Sequence, residues 1–351
     1  MRVALIGYGV GGSVFHAPMV AATDGLELAA VVTKDPERRA DVKRRYPDAA
    51  LFAEPGEIWE DPGDYDLAVI TTPNRTHAPL AQSALAAGLH AVVDKPVATT
   101  VKDARAIAAL AAEHDRLAIP FHNRRYDGDF RTVRKLRDEG ALGDVRRFES
   151  RFERWRPKIK PGWKESADPA DGGGAHFDLG AHLVDQAIAL FGAPQRVYAE
   201  LDVRREGAQA VDDAFIALLF GDETDRQSTR AHLWMSAVAA DLGPRFRVLG
   251  DKAAYVKYGL DPQEQALRDG RTPDEDDWGT EPEEAYGTLG TVDDQSRVPT
   301  EPGGYQDFYA AVAASLTGDA PPPVTMEDAI TGLRVLEAAQ RSDRVGVLVP
   351  L

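Results

Sequence analysis

The chain contains no cysteine. This excludes disulfides, thiolate metal sites and cysteine nucleophiles, and it suits a reducing compartment, so a cytoplasmic location is expected. There is no apolar run of about 18 residues, so no membrane span is expected. The first residues lack a basic stretch followed by a long apolar one, so no signal peptide is expected either. Positive charge is in the minority: 41 Lys and Arg stand against 57 Asp and Glu, for a net charge of −16. A chain this acidic has no electrostatic reason to seek nucleic acid or an anionic membrane surface. No internal repeat is visible. At 351 residues, 43% of them hydrophobic, the chain is too long for one ordinary core, and two domains are expected.

What the chain does have is a glycine-rich turn near its start. Val3, Ala4, Leu5 and Ile6 form a short apolar run, and Gly7-Tyr8-Gly9-Val10-Gly11-Gly12 follows directly. Residues 13–22 then have helical character. The pattern is G-x-G-x-x-G between a strand and a helix. Gly7 permits the tight turn, Gly9 lets the backbone approach a pyrophosphate, and Gly12 lets helix and strand pack closely. Free N–H groups at the helix start complete an anion site. In this setting the motif, with Tyr8, Ser13 and Val14 beside it, reads as a dinucleotide site.

Residues 3–6, 28–33, 67–71, 91–93 and 117–120 are apolar runs without alternation. Helical stretches at 13–22, 36–46, 77–87 and 101–114 lie between them. Such alternation predicts a parallel sheet covered on both faces, a doubly wound α/β Rossmann fold over residues 1–121. Asp35 ahead of Pro36, and Thr76, read as helix caps. From residue 122 to 351 the pattern changes. A helix at 130–139 is followed by strands at 145–155, 196–205, 214–220, 229–235, 245–249 and 253–258. Strands without intervening helices predict an α+β domain with an open, mostly antiparallel sheet. One helix, 175–191, interrupts them. The acidic, Pro- and Gly-rich stretch 269–304 is expected to be an irregular excursion ordered around Trp278 and Tyr286. Helices at 305–316 and 326–342 close the chain. An open sheet leaves one face bare, and a second subunit is its expected cover.

A carboxylate at the end of the second strand would hold the 2′-hydroxyl of NAD. Here Thr33 occupies that position and Lys34 follows, while Asp35 is used as a cap. A hydroxyl and a cation suit a 2′-phosphate, so NADP is expected ahead of NAD.

Two further groups of residues carry chemistry. Val92-Val93-Asp94-Lys95-Pro96 ends the fifth strand, where ligands of doubly wound sheets bind. A lysine held before a proline there points into the cleft; a plain surface lysine ahead of a helix has equal standing from spacing alone. The second group runs from Gly172-Gly173-Gly174 through Ala175, His176, Phe177, Asp178 and His182 to Asp185. In one continuous helix Asp178, His182 and Asp185 share a face at i, i+4 and i+7, with His176 on another. Three readings stay open: a structural histidine, an Asp/His/Asp metal site, and a general base tuned by a carboxylate. A base fits best beside a nucleotide domain, because oxidation of an alcohol needs a proton acceptor. Trp163, Trp234 and Tyr309 read as core or rim aromatics more than as stacking platforms.

With these motifs the chain resembles, over essentially its whole length, the glucose–fructose oxidoreductase, inositol dehydrogenase and MocA (Gfo/Idh/MocA) family. The markers are the glycine turn, Thr71-Thr72-Pro73-Asn74 with His77, Asp94-Lys95-Pro96, and Gly172-Gly173-Gly174 with Asp178, Gly180, His182 and Asp185. The family usually has Glu where this chain has Asp94; the charge is kept with a shorter reach. Within the family the chain is similar to NADP-dependent scyllo-inositol 2-dehydrogenases, through Gly12-Ser13-Val14-Phe15-His16, Phe121-His122-Asn123-Arg124-Arg125, Trp155-Arg156-Pro157, Gly243-Pro244-Arg245-Phe246 and Lys257-Tyr258-Gly259-Leu260-Asp261.

The resemblance implies that Lys95 meets substrate and nicotinamide, that His182 is the general acid/base and that Asp178 partners it. It implies that Thr71, Thr72, Pro73, Asn74, His77, Asp94 and Asn123 line the cofactor. Arg124, Arg156, Trp163 and Tyr258 form the wider set expected around a polyol or sugar. No metal is implied, and homodimers or homotetramers packed through the open sheet are. Two other outcomes are a sugar 1-dehydrogenase or aldose/ketose reductase of the same family, and a non-enzymatic NADP(H) sensor.

Overall fold

A computed structural model describes residues 1–159, 162–221 and 227–351. The chain forms two compact units. The first comprises 1–123, 263–278 and 304–330, and the second 124–262, 279–303 and 331–351. The first crossing falls two residues beyond the boundary expected after residue 121. Two later segments then return to the first unit, which a single boundary does not capture.

The first unit holds six parallel strands: β1 (Arg2–Ile6), β2 (Glu27–Val32), β3 (Ala50–Phe52), β4 (Leu67–Ile70), β5 (His90–Asp94) and β6 (Ala118–Phe121), in the order β3-β2-β1-β4-β5-β6. β1 and β4 are almost wholly buried, which explains their unbroken apolar runs. The strand order reverses between β1 and β4, and such a reversal opens a crevice at the strand ends. β3 was not expected; it has three residues, none fully buried, and so carries little pattern.

The helix expected at 13–22 is instead a wide π-type turn, Gly11–His16, followed by a short helix, Ala17–Ala21. Pro18 gives the reason: it has no N–H for the preceding turn, and a wide turn removes that demand. Asp35 caps Pro36–Arg45 as expected, accepting from the N–H groups of Glu37 and Arg38 at 2.9 and 3.1 Å. Thr76 does not cap His77–Ala86; its hydroxyl donates to the Pro73 carbonyl at 2.7 Å.

The second unit holds nine strands: β7 (Val145–Glu153), β8 (Arg196–Asp202), β9 (Asp213–Phe220), β10 (Thr229–Ser236), β11 (Phe246–Gly250), β12 (Ala254–Lys257), β13 (Gly287–Gly290), β14 (Gln295–Val298) and β15 (Val349–Pro350). Their order is β14-β13-β12-β11-β7-β10-β9-β8-β15. Only β7 and β10 pair in parallel among the described residues; the other neighbours are antiparallel. β13 and β14 correct the expectation that 269–304 is irregular throughout. They are four residues each, and their sequence offers few β-formers.

The helix Gly180–Phe191 packs on one face of this sheet against β7 and β10. Over the first half of β8, most of β9 and the middle of β10, buried and more exposed residues alternate. The single helix expected at 175–191 breaks at Leu179 into Ala175–Asp178 and Gly180–Phe191. No described helix is long and apolar enough to cross a membrane.

Candidate active site

In the first unit the glycine turn has the shape its sequence suggests. Gly7 has φ of +101°, a conformation that favours glycine. A Cβ on Gly12 would collide with the Gly7 carbonyl, so the sixth motif position cannot carry a side chain without a shift. A Cβ on Gly9 would meet only Arg38 Nη1, at 4.0 Å, so the backbone there is open to a ligand. The residues therefore fit a dinucleotide pyrophosphate. Ser13 closes the turn: its N–H and its hydroxyl both donate to the Gly9 carbonyl, each at 2.8 Å. The Tyr8 ring points away into the interior, where its hydroxyl donates to Asp41 at 3.0 Å and burial holds it well above the usual phenol range.

The neighbouring loop is fastened to this turn. Thr71 Oγ1 donates to the Gly7 carbonyl at 3.2 Å, and the Thr72 and Thr76 hydroxyls meet at 2.6 Å. His77 is buried with Nδ1 2.8 Å from the Pro96 carbonyl and Nε2 2.7 Å from the Thr72 carbonyl. It ties the end of β4 to the end of β5. Asn74 and Asn123 are both buried at the same strand ends.

Lys95 directly follows β5. Its N–H donates to Asp94 Oδ1 at 2.7 Å, and the Lys95–Pro96 bond is cis. Asp94 Oδ2 would stand 3.0 Å from a Cβ on Gly11 and lies 3.8 Å from His16 Nε2. Burial alone would raise the Asp94 carboxyl, but the pull of His16, then of His77 and Lys95, outweighs it and brings the group down to about 2. Asp94 is thus a fixed anion joining the glycine turn to the lysine.

At the end of β2 the two expected phosphate contacts are differently engaged. Thr33 is buried, and its N–H donates to Phe52 while its carbonyl accepts from Arg39. Lys34 pairs with Glu54 at the surface. Arg38, which no sequence motif singles out, is the cation nearest Gly9.

In the second unit the Gly172–Asp185 region forms a compact cluster. His182 is buried, and its ring stacks on Phe152 with centroids 6.4 Å apart and planes 26° apart. Three guanidiniums surround the same Phe152 ring: Arg124 at 4.7 Å, Arg154 at 4.8 Å and Arg245 at 5.8 Å. Asp178 Oδ1 accepts from Lys164 Nζ at 2.7 Å. Asp185 is held by Arg125 through two bonds of 2.9 and 2.7 Å. That fork pair and the break at Leu179 remove Asp185 from the one-face Asp/His/Asp set. His176 points elsewhere: burial lowers it to about 4, so its ring is neutral, and Nε2 lies 3.2 Å from Gln340 Nε2. It lines a separate cavity of about 350 Å³ with Gly172, Gly173 and Arg344.

Beneath Arg124 lies a buried charge cluster. Asp127 faces Arg124 at 3.4 Å, Asp129 faces Arg245 at 3.5 Å, and Asp261 accepts from the Gly128 N–H at 2.7 Å. Burial pushes Asp127 up to about 8, with Asp261 and Asp129 adding to it and Arg124 opposing. Of the remaining expected residues, Trp163 is half-buried with Lys164 Nζ 5.5 Å from its ring centroid, Arg156 is exposed, and Tyr258 is 61% exposed. Among the described residues no group of three His, Asp or Glu side chains suits a metal ion.

Known proteins match both units. The oxidoreductase family's NAD-binding Rossmann fold matches residues 1–122, and its C-terminal alpha/beta domain matches 134–351. The uncharacterized oxidoreductase YdgJ of Escherichia coli strain K12 is 42% identical over 96% of this chain and 94% of its own. IolW of Bacillus subtilis strain 168, named a scyllo-inositol 2-dehydrogenase (NADP(+)), is 35% identical over 98% of this chain and 94% of its own. The Bacillus subtilis yvaA structure in triclinic form superposes with a TM-score of 0.92 at 34% identity, covering 100% of this chain and 98% of that one. The glycine cradle, the Asp94-Lys95 turn and the His182 cluster therefore belong to an oxidoreductase, and the chain is a member of the Gfo/Idh/MocA family.

Proposed function

We propose that the chain is an NADP-dependent dehydrogenase acting on a ring hydroxyl of a cyclitol or sugar, with scyllo-inositol and its inosose as the preferred pair. One observation carries this reading. Asp94 binds the Lys95 backbone with one oxygen and lies against Gly11 with the other, so a lysine at a strand end is locked beside a dinucleotide cradle. The similarity to IolW supports the substrate class and the cofactor.

Bound NADP would supply the hydride acceptor. Gly7, Tyr8, Gly9, Gly11, Gly12, Ser13 and Val14 hold its pyrophosphate through backbone groups. Thr71, Thr72, Pro73, Asn74, His77, Asp94 and Asn123 line the strand ends toward the nicotinamide. Arg38, over the open Gly9, reads the 2′-phosphate, a role that Thr33 and Lys34 support at most indirectly. His182 takes the proton of the substrate hydroxyl. Lys95, at the end of β5, offers its ammonium to a substrate oxygen and stabilises negative charge developing there. Asp178 orients the imidazole and shares its own charge with Lys164. The face of the second sheet that carries Phe215, His232 and Trp234, with Arg151 stacked 3.9 Å from the Trp234 ring, packs against a second copy of the chain.

The test is a panel of inositols and aldoses with NADP and with NAD, followed at the nicotinamide absorbance band. Turnover of scyllo-inositol with NADP is expected. Tight NADPH binding with no turnover of any polyol would favour a sensor instead. The mass of the assembly in solution tests the second copy.

A further inference from the structure

His16 ends the wide turn that follows the glycine motif, and its side chain is fully buried. Its ring lies against Phe121 with centroids 4.0 Å apart and planes tilted by 43°, and Phe308 meets the edge of Phe121 at 4.9 Å. Two polar groups face the ring. Nδ1 lies 2.6 Å from the Tyr309 hydroxyl, and Nε2 looks toward Asp94 Oδ2 at 3.8 Å. Burial and the charge of Asp94 hold the Tyr309 hydroxyl well above the ordinary phenol range, so it stays protonated and anchors the ring. The groups facing Asp94 are His16, His77 and Lys95. A continuous line therefore runs Tyr309–His16–Asp94–Lys95, and it ends on a backbone N–H donated at 2.7 Å.

A histidine serving only the core would not need a carboxylate at one nitrogen and a phenol at the other. Burying a carboxylate is costly unless a positive group answers it. Asp94, with 24% of its side chain exposed, meets the His16 ring on the side away from the lysine. The 3.8 Å separation is too long for a hydrogen bond, so the coupling is electrostatic.

We propose that His16 is a positioning residue for Lys95: by holding Asp94 as an anion it fixes the Lys95 backbone and the direction of its ammonium, without reaching the reacting atoms itself. This rests on the assignment of Lys95 to the reacting oxygen.

The experiment uses the whole protein with His16→Gln, Tyr309→Phe and Lys95→Met, each checked for folding by circular dichroism and for NADPH binding. Two readouts are taken: kcat against pH with scyllo-inositol and NADP, and the rate at which acetic anhydride labels Lys95 relative to Lys102. His16→Gln is expected to keep NADPH affinity within about threefold and to lower kcat by about tenfold or more. Its acid limb moves to higher pH, because burial at Asp94 then meets opposition only from His77 and Lys95. Labelling of Lys95 rises by about threefold as its backbone loosens. Tyr309→Phe, which keeps the aromatic wall, moves both readouts the same way by less; it decides the matter if His16→Gln does not fold. The proposal is overturned if the folded variants keep wild-type labelling of Lys95, or keep wild-type kcat and pH profile where turnover is measurable. If Lys95→Met keeps full kcat, the assignment of Lys95 itself fails, whatever the His16 variant does.

Discussion

Arg125 and Asp185 are joined by a fork of two parallel bonds, Nε to Oδ2 at 2.9 Å and Nη2 to Oδ1 at 2.7 Å. Both side chains are largely buried, 12% and 4% exposed. The pair clamps the turn Asn123–Tyr126 to the helix that carries His182. Gln186 adds a second tie by donating to the Arg124 carbonyl at 2.8 Å. Asp185→Asn takes the carboxylate of this fork away from a largely buried guanidinium and is expected to cost roughly 3–5 kcal/mol of stability. The double variant Arg125→Met with Asp185→Leu should recover most of it. Chemical denaturation of the three proteins checks this; equal loss in single and double variants would show that packing, not charge, is at stake.

Removing the proposed base tests the chemistry more directly. His182→Asn preserves the buried volume against Phe152 while removing the proton acceptor. It should lower kcat by about 10²–10⁴-fold with little change in NADPH affinity. Steady-state rates beside fluorescence titration of NADPH separate the two effects. A His182→Asn enzyme at near wild-type kcat would assign the proton to another group.

Cofactor choice is expected to turn on Arg38. One charge-assisted contact is worth about 1.5–3 kcal/mol. Arg38→Ala should therefore lower kcat/KM for NADPH by about 10–150-fold and leave that for NADH nearly unchanged. An equal fall with both cofactors would mean that Arg38 serves the fold and not the 2′-phosphate.

Asp127 gives a pH prediction with a definite sign. Its folded value of about 8 lies above the unfolded value near 3.9. The fold thus binds a proton that the unfolded chain has lost across that window. Stability from this group is full below about pH 4, falls as pH rises toward about 8, and is flat beyond. Asp127→Asn should match wild type at pH 4 and exceed it in Tm at pH 8, with the gap widening steadily between. If Asp127 is instead an ordinary ionised partner of Arg124, the variant will be less stable throughout.

The parts of the fold legible from sequence were those with local signatures. β1, β2, β4, β5 and β6 are buried on both sides and read as apolar runs. The glycine turn announced itself because steric demands at Gly7 and Gly12 admit almost no other residue. The short strands β13 and β14 were hidden, since their residues are held by pairing to β12 and to each other more than by propensity. Lys95 and His182 stood out by motif. His16 did not, because its partner Tyr309 lies 293 residues away and no local pattern connects them. Arg38 was equally silent: on a polar helix such as Pro36–Arg45 one arginine looks like the next until its reach toward Gly9 is seen.

The return of segments 263–278 and 304–330 to the first unit has a practical side. A truncated protein ending at residue 122 would keep every glycine of the cradle yet forfeit Phe308 and Tyr309, and the His16 imidazole would face an emptied aromatic wall. The nucleotide half is therefore not a severable cassette. Grafting or expressing it alone calls for a stitched chain that carries those distant helices along.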